Sequence, residues 1–407
     1  MKKTIKLVLA SALLCCRITG KNIIDRNVDL SQNMCADVVA ASASATVDLQ
    51  MHAKSGYLID FDTQTVIYNY HESKRLPIAS MCKIMTLLLS FDAIDEGRLG
   101  INEEIYVSER AASMGGSQVF LEANAKYKVS ELIKSVVVCS ANDRCVALAE
   151  RIAGSESLFV EKMNEKAKEI GAENTLFANC TGLPKDPQYS CAKDVALMLK
   201  NLLNHEEYYQ FGKVWLDKFQ HPEGRFTEIT NTNKLIRFYE GCDGGKTGFT
   251  NEAGFCLAAT AKRGNMRLIS VVIGEKDSKT RFKEVAESFD YTFANYTMQK
   301  VVDASALCDE SLTVGGGKMK CVGIQPERDG VVFTKRGETV NVDTQLCLDS
   351  VKKAPVRKGD VVGEIRLFRD GVEFDRIPVV ASEDVEKANY WDSLTDVAKD
   401  WSFAGKP

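Results

Sequence analysis

Three short polar words stand far apart in this chain, Ser80-Met81-Cys82-Lys83, Ser140-Ala141-Asn142 and Lys246-Thr247-Gly248, and they constrain its fold because each needs the others nearby to do chemistry. The first follows Pro77-Ile78-Ala79 and opens the apolar run 84–89, which reads as a buried helix starting near Ser80. The second lies between two apolar-periodic segments, 131–138 and 143–150, and so occupies a short turn between helices. The third follows Asp243-Gly244-Gly245 and precedes the alternating stretch 249–261, the pattern of a strand. A helix start, an interhelical turn and a strand edge meet where a helical cluster packs on a sheet, an α/β arrangement of the α+β kind.

A serine hydroxyl is a weak nucleophile at neutral pH and needs a base within hydrogen-bond reach and donors aimed at the oxyanion it creates. Residues three apart share a helix face, which puts Lys83 beside Ser80 as that base. The helix N-terminus adds a partial positive field where negative charge develops. Ser140 and Asn142 present a hydroxyl and an amide from their turn. Glycines around Lys246 and Thr247 let another backbone come close, so Lys246 can hold the Ser140 hydroxyl and a substrate carboxylate while Thr247 donates a hydrogen bond. Read singly, each word has an ordinary alternative. Ser80 caps a helix with a solvated lysine one turn on, Asn142 caps the next helix, and Lys246 is an edge-strand lysine that discourages aggregation. The three in order point instead to acyl transfer through a serine.

Around these words, residues 56–61 and 66–68 read as a hairpin, followed by a helical middle to about residue 203 that includes a helix opened by Ser155 and closed at Gly171. Strands follow at 244–248, 255–262 and 267–273, the last two joined by a Gly264-Asn265 turn, and then a helix over 278–298. Early and late strands are expected to form one antiparallel sheet with the helical cluster over one face and the site at their junction. From about residue 302 the pattern changes to short alternating runs such as 330–333 and 361–368, punctuated by Arg369-Asp370-Gly371, which predicts a small all-β sandwich with a spacing or docking role. The expected organisation is an export signal and linker at 1–45, a catalytic domain at 46–300, the sandwich at 301–385 and a C-terminal amphipathic helix at 386–407.

The words also have neighbours. Gly116-Ser117-Gln118-Val119-Phe120-Leu121, the segment from Gly182 through Tyr189-Ser190-Cys191-Ala192-Lys193-Asp194, Asn231-Thr232-Asn233 and the stretch 246–254 together resemble the D-alanyl-D-alanine carboxypeptidases of the low-molecular-mass penicillin-binding proteins, over roughly residues 46–385. The resemblance implies a β-lactamase/transpeptidase-like fold that needs no cofactor or metal. It implies peptidoglycan stem peptides as substrate, cut through an acyl-serine, and β-lactams as acylating agents. Carried over by position, Ser80 is the nucleophile, Lys83 its base, and Ser140 with Lys246 the relay to the departing D-alanine. Asn142 holds the acyl-side amide of the substrate, and the backbone N–H groups of Ser80 and Phe249, beside Gly248, form the oxyanion hole. Arg281 matches a carboxylate-anchoring arginine assisted by Thr247, a task that suits a guanidinium fork; its ordinary alternative is a solvated residue in the first turn of a helix. Two positions depart from relatives: Ala141 stands where many have glycine, and Phe249 where some have histidine. A β-lactamase of this fold wants an E-x-x-L-N loop, and here Glu173 and Leu176 are followed by Phe177. The same fold would also serve a D,D-endopeptidase or a non-catalytic wall-binding protein.

Composition bounds the partners and the compartment. The 407 residues, with a formal net charge of −4 and no basic cluster, give no nucleic-acid signal. Lys2, Lys3 and Lys6 precede the apolar run 7–16, the form of a secretion signal, and a cleavage site is expected near 41–45, placing the mature chain at the extracytoplasmic face of a bacterial membrane or in the wall. The 13 cysteines are scattered among only 4 histidines, which disfavours zinc and reads as small buried hydrophobes in a reducing setting; a Cys180–Cys191 bridge is the alternative. At the C-terminus Trp391, Leu394, Ala398 and Trp401 form an apolar stripe opposite Asp392, Asp396 and Asp400, so membrane-surface contact there is expected to be weak.

Overall fold

The computed structural model describes residues 49–392. The expected export signal with its lysines, the cleavage region 41–45 and the stripe positions Leu394, Ala398 and Trp401 lie outside the described residues. The described chain opens with strands β1 (Ser55–Asp60) and β2 (Val66–Tyr70) and enters α1 (Lys83–Asp95) through a 3-10 turn at Ala79–Cys82. A helical region follows, comprising α2 (Glu109–Ala112) between the short strands β3 (Glu104–Tyr106) and β4 (Lys126–Lys128), then α3 (Val129–Cys139), α4 (Asn142–Ala153), α5 (Glu156–Glu169), α6 (Ala192–Leu202) and α7 (Tyr208–Gly212). The hairpin β5 (Leu216–Gln220) and β6 (Phe226–Thr230) and the single turn α8 (Leu235–Phe238) lead to β7 (Cys242–Thr250), β8 (Gly254–Arg263), β9 (Met266–Glu275) and α9 (Ser278–Asn295).

Local chemistry accounts for several of these boundaries. Ser155 caps α5 by accepting from the Leu158 amide at 3.2 Å, and Asp277 caps α9 by accepting from Thr280 at 2.8 Å. Helix α1 is buried over most of its length, with Ile84, Met85, Leu88 and Phe91 in the core and its C-terminal end, at Asp92 and Asp95, reaching the surface, so it brings its N-terminus through the core to the sheet. The five strands β2-β1-β9-β8-β7 form one antiparallel sheet in that order. Its strands alternate in which face they serve: Ile269, Val271 and Ile273 join the core under the helical cluster, while Leu268 and Val272 join Val285, Phe289 and Phe293 of α9. The sheet is therefore covered on both faces, which extends the expectation of helices on one face.

The helix predicted over 278–298 stops at Asn295. Tyr296 and Met298 alternate in burial with their neighbours and begin strand β10 (Tyr296–Val302) instead, so a strand crosses the expected domain boundary at 300. This strand pairs with β13 (Gly330–Lys335), and Tyr296 stacks on Phe333 at 4.9 Å beside the α9 core. The remaining strands are β11 (Ser311–Gly315), β12 (Cys321–Pro326), β14 (Val342–Leu348), β15 (Lys352–Lys353), β16 (Val361–Arg369) and β17 (Val372–Ala381). They form a six-stranded sheet, β14-β16-β17-β12-β11-β15, around a separate core that includes Val314, Ile324, Leu367 and Val379. The expected C-terminal helix does not begin at 386; helical backbone starts at Tyr390. Among the described residues no helix is long and apolar enough to cross a membrane.

One polar cluster fixes the edge strand of the main sheet. Arg267 on β9 donates from Nη1 and Nη2 to the two carboxylate oxygens of Asp243 on β7, at 2.7 and 2.9 Å, and from Nη1 to Thr260 on β8 at 3.0 Å. A bidentate pair this deeply buried is costly to break from one side, because the surviving charge has no water to turn to. Asp243→Ala is expected to lower the unfolding free energy by about 3–5 kcal/mol. Urea denaturation measures it, and an unchanged midpoint would contradict the assignment.

Candidate active site

The turn into α1 is held in an unusual backbone state. Ala79 has φ +47°, a left-handed conformation that costs a non-glycine residue on the order of 1–3 kcal/mol, and Ser80 follows it. Backbone presses on this turn from two sides. A Cβ added to Gly182 would lie 2.0 Å from the Ala79 carbonyl oxygen, and one added to Gly248 would lie 2.6 Å from that of Ile78. The glycine of the third word thus lets β7 approach the serine turn itself. Lys83 Nζ lies in hydrogen-bond contact with Ser80 Oγ at 3.0 Å and donates to the Thr181 carbonyl, and Lys83 is fully buried.

Ser140 ends α3 with φ +63°, and α4 begins two residues later at Asn142. The Ser140 hydroxyl is buried and has no hydrogen-bond partner. Asn142 does not serve as the N-cap; that position is Ala141. Its backbone N–H donates to Ser117 O and its Nδ2 to Gly115 O, both at 2.7 Å, tying the segment 115–121 to the head of α4.

Lys246 is 1 % exposed, and its Nζ donates to the Thr247 carbonyl at 3.1 Å rather than to Ser140 as the sequence suggested. Burial, and secondly the positive charge of Lys83, lower its proton affinity from 10.5 to about 7. Thr247 Oγ1 donates to Thr232 Oγ1 at 2.8 Å. Phe249 is half exposed and stacks on Phe255 at 4.3 Å. Arg281 is no solvated first-turn residue. It is buried, donates from Nη1 to the carbonyls of Gly248 and Cys256 at 3.0 and 3.1 Å, and keeps its Nε without a partner. Burial lowers its proton affinity to about 10.

Ser80, Lys83, Ser140, Asn142, Lys246, Thr247, Gly248 and Arg281 therefore come together at the junction of α1, α4 and β7, with Phe249 at the outer end of β7. Sequence reasoning assigned no role to Thr181, Gly182 or Thr232, although Gly182 and Thr232 fall in stretches that carry the family resemblance; their contacts are long-range. Among the described residues neither cleft lysine has an ion-pair partner, so two buried basic side chains lie here without a carboxylate to balance them. The site can accept a carboxylate or a developing oxyanion. The cysteines beside the two serines do not compete with them. Burial pushes the Cys82 thiol up to about 12 and that of Cys139 to about 11, which keeps both neutral and unreactive near pH 7. All ten described cysteines are free, Cys180 and Cys191 among them.

A half-buried serine in contact with a buried lysine, with a second serine and a second lysine close by, is the arrangement of a serine acyl-transfer enzyme. Comparison with known proteins narrows the class. Residues 39–277 match the family model described as D-alanyl-D-alanine carboxypeptidase, and residues 296–387 match that of the penicillin-binding protein 5 C-terminal domain. The chain is 40% identical over 358 residues to the D-alanyl-D-alanine carboxypeptidase DacF of Bacillus subtilis, covering 88% of this chain and 92% of the relative. It is 30% identical over 370 residues to DacC of Escherichia coli, also named a D-alanyl-D-alanine carboxypeptidase, covering 88% and 90%. Penicillin-binding protein 5 of Haemophilus influenzae superposes with a TM-score of 0.66 at 29% identity, covering 83% of this chain and 98% of that one. The chain belongs to the D-alanyl-D-alanine carboxypeptidase family of penicillin-binding proteins.

The Lys246 shift has a consequence for stability. The folded chain releases this proton near pH 7 and the unfolded chain near 10.5, so between those values the unfolded state binds more protons and stability rises with pH. Lys246→Met removes that rise. The gain in unfolding free energy of the variant over the parent is expected to be largest at pH 6 and roughly 2–3 kcal/mol smaller at pH 9. Urea denaturation at the two pH values checks it; an equal difference at both would contradict the burial argument.

Proposed function

We propose that this chain is a serine-type D-Ala-D-Ala carboxypeptidase that removes the terminal D-alanine of peptidoglycan stem pentapeptides in two acyl-transfer steps. The observation that carries the reading is the 3.0 Å contact between Lys83 Nζ and Ser80 Oγ at a site whose other groups, Ser140 and Lys246, are buried. Repulsion between two ammonium groups at such a site favours the state with one proton fewer. In that state an amine is free to take the Ser80 proton as Oγ attacks the penultimate D-alanine carbonyl. The oxyanion forms against the backbone N–H groups of Ser80 and Phe249. Ser140, with Lys246 behind it, returns a proton to the leaving amine, and Asn142 holds the amide on the acyl side. The terminal carboxylate is drawn to Lys246 and Thr247, with Arg281 fixing the Gly248 backbone from beneath and adding its charge. Water then attacks the acyl-serine and regenerates Ser80. A β-lactam enters the same path and stays on the serine.

The catalytic unit, assigned to residues 46–300, works outside the cytoplasm where peptidoglycan lies, and the β-rich unit at 301–385 acts as a spacer. Tyr390 and Trp391, 74% and 71% exposed, support a weak membrane-surface contact by the segment 386–407.

The test is D-alanine release from diacetyl-Lys-D-Ala-D-Ala together with labelling by a fluorescent penicillin, in the parent and in Ser80→Ala. Both signals are expected in the parent, and release is expected to fall by at least about 10³-fold in the variant. Release that survives Ser80→Ala would overturn the assignment of the nucleophile.

A further inference from the structure

The segment that ties down Asn142 carries a second feature, which the proposed mechanism does not use. Asp143, fully buried in the first turn of α4, accepts through Oδ2 from the amides of Val119 at 3.3 Å and Leu121 at 3.2 Å, and from Arg144 Nη1 at 2.7 Å. The residue between those two amides is Phe120. Its φ is +60°, a left-handed conformation that bulky residues avoid, and it is 58% exposed although Val119 and Leu121 on either side are buried. From outside, Arg225 Nη2 donates to the Phe120 carbonyl at 3.4 Å and to Glu122 at 2.7 Å. A large aromatic is thus held in a strained backbone state by a buried carboxylate and turned to solvent. Neither backbone preference nor packing accounts for it. A strained conformation that its surroundings over-determine marks a position kept for use.

We propose that Phe120 is a specificity-determining residue of the cleft, reading the side chain that precedes the D-Ala-D-Ala pair in the stem peptide. This rests on the carboxypeptidase reading above. Gly115 and Ser117, on the same segment, hold Asn142, the residue assigned to the acyl-side amide. Phe120 lies three residues beyond Ser117 on this segment, and its ring is assigned to the acyl half of the substrate rather than to the leaving D-alanine. A phenyl face suits a long alkyl-ammonium side chain, whose methylenes pack on the ring while its charge is drawn to the π face. A methyl side chain would gain little from the same ring. Asp143 acts through Phe120 as a positioning residue, coupling the head of α4 to the rim.

The experiment compares kcat/KM for Nα-acetyl-Lys-D-Ala-D-Ala, whose ε-ammonium is free, and acetyl-Ala-D-Ala-D-Ala in the parent, Phe120→Gly and Phe120→Tyr. Glycine accepts φ +60° freely, so Phe120→Gly removes the ring without disturbing the turn. It is expected to lose about 5–20-fold more kcat/KM on the lysyl peptide than on the alanyl peptide, mainly through KM, and Phe120→Tyr is expected to keep the parental ratio. An unchanged ratio in Phe120→Gly, or equal losses on both peptides, would overturn this inference while leaving the carboxypeptidase reading intact. A parent that releases D-alanine from neither peptide would overturn both.

Discussion

Two lysine side chains buried in one cleft without a carboxylate between them are the constraint on which this structure turns. Burial away from water disfavours the charge, the like charge of Lys83 adds to it, and the result is the lowered proton affinity of Lys246. The protein tolerates it because the cleft is built to meet negative charge from outside: a substrate carboxylate and a transient oxyanion. Lys246 rests on the Thr247 carbonyl, and the Ser140 hydroxyl is unpartnered. Both are free to take new partners in the Michaelis complex.

Holding these groups in place needs a stiff frame. Helix α1 is buried over most of its length, which fixes its N-terminus against the sheet. Gly182 and Gly248 let two backbone segments close on the strained turn at Ala79, fixing Ser80 between them. The Asp243–Arg267 pair ties the start of β7 across β8 to β9, and Arg281 ties its far end through the Gly248 carbonyl. The edge strand that carries Lys246 is thus anchored at both ends. Catalytic groups placed on rigid elements keep their geometry without reorganising during the reaction.

Much of this was legible in the sequence, and the gaps have physical causes. The serine–lysine pair could be read because three-residue spacing on a helix is a local rule, and the paired strands because alternation is local as well. The end of α9 was misplaced because Tyr296 and Met298 fit either a helical or an alternating pattern; pairing with β13, some thirty residues later in sequence, decides it for the strand. Arg281 read as a candidate anchor, yet its bonds to the Gly248 and Cys256 carbonyls depend on how α9 crosses the sheet. Thr181, Gly182 and Thr232 sit in loops whose partners are distant in sequence, so the resemblance around Gly182 and Thr232 gave their neighbourhood but not their contacts. The reading of the cysteines as buried hydrophobes holds for Cys82, Cys145, Cys180, Cys191, Cys242 and Cys256, whereas Cys139, Cys308 and Cys347 are half-buried and Cys321 is exposed.

The central claim is that Ser80, among all the hydroxyls and thiols in and around the cleft, forms the covalent bond. Incubation with benzylpenicillin followed by peptide mapping in a mass spectrometer tests it most directly. The account predicts a single penicilloyl adduct per chain, located on Ser80. An adduct on Ser140 or on Cys82, or no adduct on the folded protein, would contradict it.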